Sequence, residues 1–259
     1  MRGVVIKSTG SSYFVMSDNG QKMECRLKGK FKIKGISSTN PVSVGDYVQY
    51  EMIVGDIIGV ITDIEKRKNY IVRKSTNLSK RQHIIACNID QAICIATLAF
   101  PRTSTGFIDR FLVTAEQYHI PAFIVFNKID LYPPDLIESL DELIEIYNRI
   151  GYKCLITSAI TNQGINEFND LLKGKINLLV GHSGVGKSAV INKIEPSLNL
   201  KTGEISSYHL KGQHTTTFAE MHPLSNGGFI IDTPGIKEFG MIHIKPEEIG
   251  GYFPEMRAL

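Results

Sequence analysis

The 259-residue chain lacks several features that would set it apart from ordinary globular proteins. No apolar run approaches the roughly 20 residues needed to cross a bilayer. The opening Met1-Arg2-Gly3-Val4-Val5-Ile6-Lys7 brings in charge before a signal-like apolar segment can form. No membrane partner is expected, and a cytoplasmic location is. Cysteine is scarce: Cys25, Cys87, Cys94 and Cys154 lie in apolar contexts with no Cys-x-x-Cys pair. That pattern argues against disulfides and metal sites and for buried free thiols. Internal repeats and low-complexity tracts are absent. Net charge is small, +3, but unevenly placed: between residues 65 and 81, Lys66, Arg67, Lys68, Arg73, Lys74, Lys80 and Arg81 stand against Glu65 alone, and Lys28, Lys30, Lys32 and Lys34 alternate along another stretch. Such runs are usually solvated faces, yet two of them in the first third of the chain raise nucleic acid as a partner.

The chain length suits one large domain plus a smaller one. Residues 1–68 read as five short strands, at 3–8, 13–17, 22–27, 47–53 and 59–64, broken by Asp18-Asn19-Gly20, Pro41 and Gly45-Asp46. That spacing suits an oligonucleotide-binding (OB) barrel with the alternating lysines in a loop beside its binding face; an SH3-like barrel without nucleic-acid role is the alternative. Residues 69–81 read as a basic linker. From 82 to 244 strands and helices alternate: strands at 91–98, 121–126, 152–157 and 175–180, and helices at 107–118, 134–150 and 166–172. The long helix is signalled by Pro133-Pro134 ahead of it, by a stripe of Leu136, Leu140, Leu143, Ile144 and Tyr147, and by Gly151 behind. Repeated βα units predict a largely parallel sheet with helices on both faces. A hairpin-like pair, 218–224 and 229–232, follows, and 245–259 reads as the start of a C-terminal extension.

Between the apolar run 176–180 and a helix stands Gly181-His182-Ser183-Gly184-Val185-Gly186-Lys187-Ser188, with Ala189 next. Two glycines with four residues between them, then Lys and Ser, in a strand-loop-helix setting, make a phosphate loop. Its backbone N–H groups and helix start cradle phosphates, Lys187 reaches the outer phosphates, and the Ser188 hydroxyl suits magnesium. Asn127-Lys128-Ile129-Asp130 also closes an apolar strand. A carboxylate at Asp130 can accept from both N1–H and the exocyclic amine of guanine, a pattern adenine does not offer. Asn127 either ties the loop or contacts the purine edge, and the stem of Lys128 can lie along the ring. Ser158-Ala159 ends the next strand, where a backbone N–H can meet the guanine oxygen. Asp232-Thr233-Pro234-Gly235 closes a further strand; Asp232 can hold magnesium through water while the Gly235 N–H meets the γ-phosphate. Upstream, Gly212-Gln213-His214-Thr215-Thr216-Thr217 lies in an aperiodic stretch, and one threonine, Thr216 by preference, is read as the second magnesium ligand; the start of a strand is the plainer reading of the triple Thr.

The motif order is unusual. The base-reading motif precedes the phosphate loop, which marks a circular permutation of a GTPase. In that order, in its phosphate loop, in residues 212–217 and 232–235 and in the preceding barrel, the chain resembles the circularly permuted GTPases that assist maturation of the small ribosomal subunit, the ribosome small subunit-dependent GTPase A family. The resemblance covers residues 1–254. It implies a circularly permuted α/β P-loop GTPase domain behind an OB-fold barrel contacting 16S ribosomal RNA, a monomeric GTP hydrolase using Mg2+, and slow hydrolysis stimulated by the 30S subunit. Family members carry a C-terminal zinc domain with a Cys/Cys/His/Cys set; the sequence ends at residue 259, about where that domain begins, so zinc is expected only if the native chain continues. Ala189 stands where the family usually has Ser or Thr, and Asn162 where Gly is common.

Many GTPases place the water-orienting glutamine just after Asp-x-x-Gly, and here that residue is Ile236, which cannot hydrogen-bond water. A GTP-gated RNA-binding module whose hydrolysis is incidental is therefore the alternative to a hydrolytic switch. His214, resembling a family histidine at that place, is the candidate orienting group, with a plain loop residue as the other reading. On the first reading, His214→Ala is expected to reduce 30S-stimulated hydrolysis while leaving GTP affinity nearly intact, which paired turnover and binding measurements check.

Overall fold

The computed structural model describes residues 1–28, 41–53, 57–73, 83–200, 219–232 and 245–257. The chain divides into two compact units: the first holds the described residues up to Ile89 with 219–222 and 231–232, and the second takes the rest from Asp90 onward.

In the first unit, β1 (Arg2–Ser8), β2 (Tyr13–Ser17), β3 (Lys22–Leu27), β4 (Tyr47–Met52) and β5 (Gly59–Ile64) form the expected strands. They pair in the order β1-β2-β3-β5-β4, and β4 returns to β1. The pairs are antiparallel except β3 with β5. This closed five-stranded barrel is the OB-fold form of the two small barrels that the strand spacing allowed. Alternation drives it: Val5, Tyr13, Val15, Cys25, Val48, Tyr50 and Ile61 point inward and pack as one core with Val42, while Lys22 and Arg26 along β3 are exposed.

The stretch read as a linker contains a strand. β6 (Tyr70–Arg73) pairs antiparallel with β7 (His83–Cys87), Tyr70 opposite Cys87 and Ile71 opposite Ala86. Tyr70, Ile71 and Val72 favour a strand, and Ile71 and Val72 are buried; the charges flank this trio and mask it in a count of basic residues. Residues 74–82 lie outside the described ones. β7, placed by the sequence reading at the head of the GTPase domain, falls in the first unit.

One member of the basic run points inward. Arg67 Nε and Nη2 donate to Asp46 Oδ1 and Oδ2 at 2.7 and 2.6 Å, and Nη2 also reaches the Pro41 carbonyl. The Arg67 side chain is 6 % exposed and that of Asp46 0 %. Asp46 also accepts from the Ser43 N–H and the Cys87 thiol. Burial first, then the neighbouring Asp46 carboxylate, pushes the Cys87 thiol well above its ordinary range. Gly45 beside the pair has φ +91°, and a Cβ there would strike the Cys87 carbonyl. So Arg67 fastens the 43–46 turn to β7, and the basic run is not wholly a nucleic-acid face.

The second unit alternates as expected: β8 (Gln91–Ala96), α1 (Thr105–Gln117), β9 (Ala122–Asn127), α2 (Pro134–Ile150), β10 (Lys153–Thr157), α3 (Ile165–Leu172), β11 (Ile176–Val180) and α4 (Lys187–Ile194). Its strands run parallel in the order β10-β9-β8-β11. All six residues of β8 are buried, as a strand covered by helices on both faces must be. α2 starts with Pro134 at its first turn and stops at Gly151, in the left-handed region. β12 (Glu220–Pro223) and β13 (Phe229–Asp232) complete the described strands; Glu220 opposes Lys7 of β1 and the two side chains pair at 2.9 Å. Short 3-10 turns at Pro246–Tyr252 and Pro254–Met256 follow, and Arg257 pairs with Glu116 of α1.

Arg67→Met is expected to destabilise the protein by about 3–5 kcal/mol, because it strands a buried carboxylate. Asp46→Asn combined with Arg67→Met should recover much of that loss. Urea midpoints of the three proteins check both statements.

Candidate nucleotide site

The phosphate loop leaves β11 at Val180 and enters α4 at Lys187. Gly181, Gly184 and Gly186 all take positive φ, 153°, 83° and 93°, so three consecutive changes of direction fall on residues without a Cβ. Gly186 is held to glycine twice over, since a Cβ there would collide with the side-chain amide of Asn127. Lys187 Nζ donates to the carbonyls of Gly181 and His182 at 2.6 and 2.7 Å, which holds the ammonium over the loop. Val185 is fully buried and Ser188 is 7 % exposed, whereas Ser183 and Gly184 are exposed and Ala189 is half-buried. The loop is thus anchored at Val185 and open at Ser183 and Gly184.

The base-reading motif meets this loop. Asn127, at the end of β9 and 1 % exposed, donates from Nδ2 to the Val185 carbonyl at 2.8 Å and accepts at Oδ1 from the Thr157 hydroxyl at 3.0 Å. Of its two candidate roles, the structure shows the tie between loops. Lys128 takes φ +64°, and its Nζ donates to the Phe100 carbonyl at 2.6 Å. Ile129 opens the short 3-10 turn Ile129–Leu131 that carries Asp130. The Ser158 hydroxyl donates to Asp130 Oδ1 at 2.5 Å and accepts from the N–H groups of Ile160 and Thr161. The carboxylate is therefore aimed by a hydroxyl that is itself fixed. The Ser158 N–H is committed to the Gln163 carbonyl, which leaves the Ala159 N–H as the backbone donor that the Ser-Ala pair can offer a base.

Several supporting residues were not singled out from the sequence. Tyr132 OH donates to the Asn127 carbonyl at 2.9 Å and accepts from the Leu98 N–H at 2.7 Å. Residues 97–103 form a closed turn: the Thr103 N–H donates to the Thr97 carbonyl, the Thr97 N–H donates to the Thr103 hydroxyl, and the Thr97 hydroxyl donates to the Pro101 carbonyl. Pro101 lies against the loop, its Cδ 3.3 Å from where a Cβ of Gly184 would stand. Thr157 and Tyr132 sit one and two residues from the motifs, and that adjacency was the available signal; for residues 97–103 the sequence offers none.

The His182 ring packs against Phe107 of α1, centroids 4.1 Å apart. Burial, then the charges of Lys187 and Arg110, holds its imidazole below the ordinary range. Lys28 is exposed after the end of β3. Lys30, Lys32, Lys34, His214, Thr216 and Gly235 lie outside the described residues, as does the side chain of Asp232, whose backbone closes β13. Cys25 and Cys94 are fully buried, and burial pushes their thiols up to about 11 and about 12.

The chain is similar to known proteins over nearly its whole length. Residues 64–242 match the RsgA GTPase family and residues 2–61 the RsgA N-terminal domain. The chain is 54 % identical over 256 residues to the small ribosomal subunit biogenesis GTPase RsgA of Bacteroides fragilis, spanning 99 % of this chain and 82 % of that protein. To the protein of the same name from Flavobacterium johnsoniae it is 55 % identical over 261 residues, spanning 100 % and 80 %. Among solved structures, YjeQ from Thermotoga maritima superposes with a TM-score of 0.78 at 36 % identity, over 98 % of this chain and 81 % of that one. YloQ, described as a circularly permuted GTPase, does so with 0.73 at 29 %, over 99 % and 79 %.

His182 is expected to titrate below the ordinary imidazole value of about 6.5. The folded state then binds this proton less tightly than the unfolded chain does. The associated stability is complete above that ordinary value and is lost as pH falls through it toward the folded midpoint. An NMR titration of the ring gives the midpoint, and His182→Gln should flatten the acid-side loss of stability in urea titrations across the same window.

Proposed function

Because the chain belongs to the RsgA GTPase family, we propose that it is a GTP hydrolase acting as a switch in biogenesis of the small ribosomal subunit. The observation that carries this is the bond from Asn127 to the Val185 carbonyl, which sets a guanine-reading loop against a phosphate loop at one sheet edge. GTP binds with its phosphates on the N–H groups of residues 181–189 and its base on Asp130, with the stem of Lys128 along one face. Asp130 accepts from N1–H and the exocyclic amine, and Ala159 donates to the guanine oxygen. Lys187 leaves its carbonyl partners for the outer phosphates, and the Gly235 N–H meets the γ-phosphate.

The residues present fit a magnesium ion, a hard cation that takes few protein oxygens and keeps several waters. The Ser188 hydroxyl stands on the first turn of α4 beside the phosphate loop, and among the described residues no cluster of three or more His, Cys, Asp or Glu offers a competing site. Ser188 and Thr216 would hold the ion directly and Asp232 through water, and the ion would neutralise negative charge on the phosphates. His214 orients the attacking water, the task that Ile236 cannot perform. Lys28, Lys30, Lys32 and Lys34 place 16S rRNA beside the barrel, and the 30S particle stimulates turnover. The protein works as a monomer in the cytoplasm; among the described residues no helix is long and apolar enough to cross a membrane.

The test is turnover of GTP, XTP and ATP by the wild type and by Asp130→Asn, with and without purified 30S subunits. The wild type is expected to hydrolyse GTP alone, faster with 30S. Losing the two-donor match should weaken GTP binding by about a hundredfold, in line with a few kcal/mol for unpaired polar groups, and shift preference toward xanthine. GTP binding without 30S stimulation would favour the RNA-binding module with incidental hydrolysis instead.

A further inference from the structure

α1 does more than cover the sheet. Its first turn carries Phe107, whose ring packs on His182 of the phosphate loop. Arg110 follows three residues later, on the same side of the helix. It is exposed, and its guanidinium folds back toward the helix start: Nη1 lies 3.6 Å from where a Cβ of Gly106 would stand. That direction brings it toward the end of the helix where Phe107 touches the loop. The neighbouring acid is already engaged, since Asp109 Oδ1 accepts from Tyr147 OH at 2.9 Å, and among the described residues no carboxylate pairs with Arg110. The Arg110 guanidinium thus lies toward the end of α1 that meets the phosphate loop through Phe107.

We infer that Arg110 is a catalytic residue that contacts the γ-phosphate of GTP from α1 and stabilises the charge that builds there during hydrolysis. The inference rests on the site reading above. In that step the water oxygen bonds to the γ-phosphorus, and the bond from that phosphorus to the β–γ bridging oxygen breaks with its electron pair going to GDP. The water's proton ends on the released phosphate. Charge spreads over the γ-oxygens as this occurs, and a planar, permanently charged group with several donors suits them better than a lysine. The field of Arg110 reaches the loop: after burial and Lys187, it is the third cause that holds the His182 imidazole low.

The test compares Arg110→Gln with the wild type and with Arg149→Gln, which removes an equal charge from a surface pair with Glu145 on α2. Single-turnover GTP hydrolysis, affinity for GDP, and formation of the GDP–aluminium fluoride complex are measured for each, on protein whose circular dichroism matches the wild type. R110Q is expected to slow hydrolysis by at least about tenfold, below the roughly 10³–10⁵ that an arginine finger supplied by an activating partner contributes. It should weaken the aluminium fluoride complex by a similar factor while leaving GDP affinity unchanged, and R149Q should match the wild type throughout. Wild-type rate and wild-type aluminium fluoride binding in R110Q would overturn the inference, as would an equal loss of GDP affinity, the signature of a residue that only shapes the loop. Failure of the wild type itself to prefer GTP over ATP would instead remove the site reading on which the inference stands.

Discussion

The two hydrogen bonds of the Asn127 side chain are the constraint on which the nucleotide site depends. One amide donates to Val185 in the phosphate loop and accepts from Thr157 at the end of β10, so three loops at the same edge of the sheet share a single buried planar group. A buried amide left without partners costs about 1–3 kcal/mol for each unsatisfied atom, and loss of any one loop's geometry exposes Asn127 to that cost. Gly186 makes the approach sterically possible, because a side chain there would occupy the place of the Asn127 amide. Around this knot, Tyr132 fixes the Asn127 carbonyl, Ser158 aims Asp130, and the 97–103 turn supplies the carbonyl that seats Lys128.

Sheet order does what chain order does in an unpermuted protein. β9 and β11 both lie beside β8, so the carboxyl ends that carry Asn127 and Gly181 converge although 53 residues separate them in sequence. Parallel strands joined by helices deliver their ends to the same edge whichever unit comes first. Permutation leaves the chemistry of the edge intact and changes only where the chain enters and leaves.

The positions with a fixed backbone or chemical demand were legible in the sequence: the glycines of the phosphate loop, the carboxylate of Asp130, the proline and glycine that bound α2, and the turn residues that break the barrel strands. What escaped was set by tertiary partners. Arg67 carries the same letter as its solvated neighbours, and only the fold shows Asp46 waiting for it. β6 was hidden because three strand-forming residues sat inside a run noticed for its charge. The 97–103 turn has no motif at all; its role comes from where β8 ends relative to Lys128 and Gly184. Even for Asn127, whose importance was plain, spacing alone left its partner open between protein and purine.

The tie between Asn127 and Val185 also has a consequence in time. Ribosomes make the chain from its first residue, so the loop of Asn127 to Asp130 emerges well before Gly181 to Ser188 do. Until that later stretch appears, Asn127 has no carbonyl to bind and nothing cradles a triphosphate. The residues of the barrel strands therefore emerge first, and the tie that gathers the loops at the sheet edge can form only after most of the chain has been made.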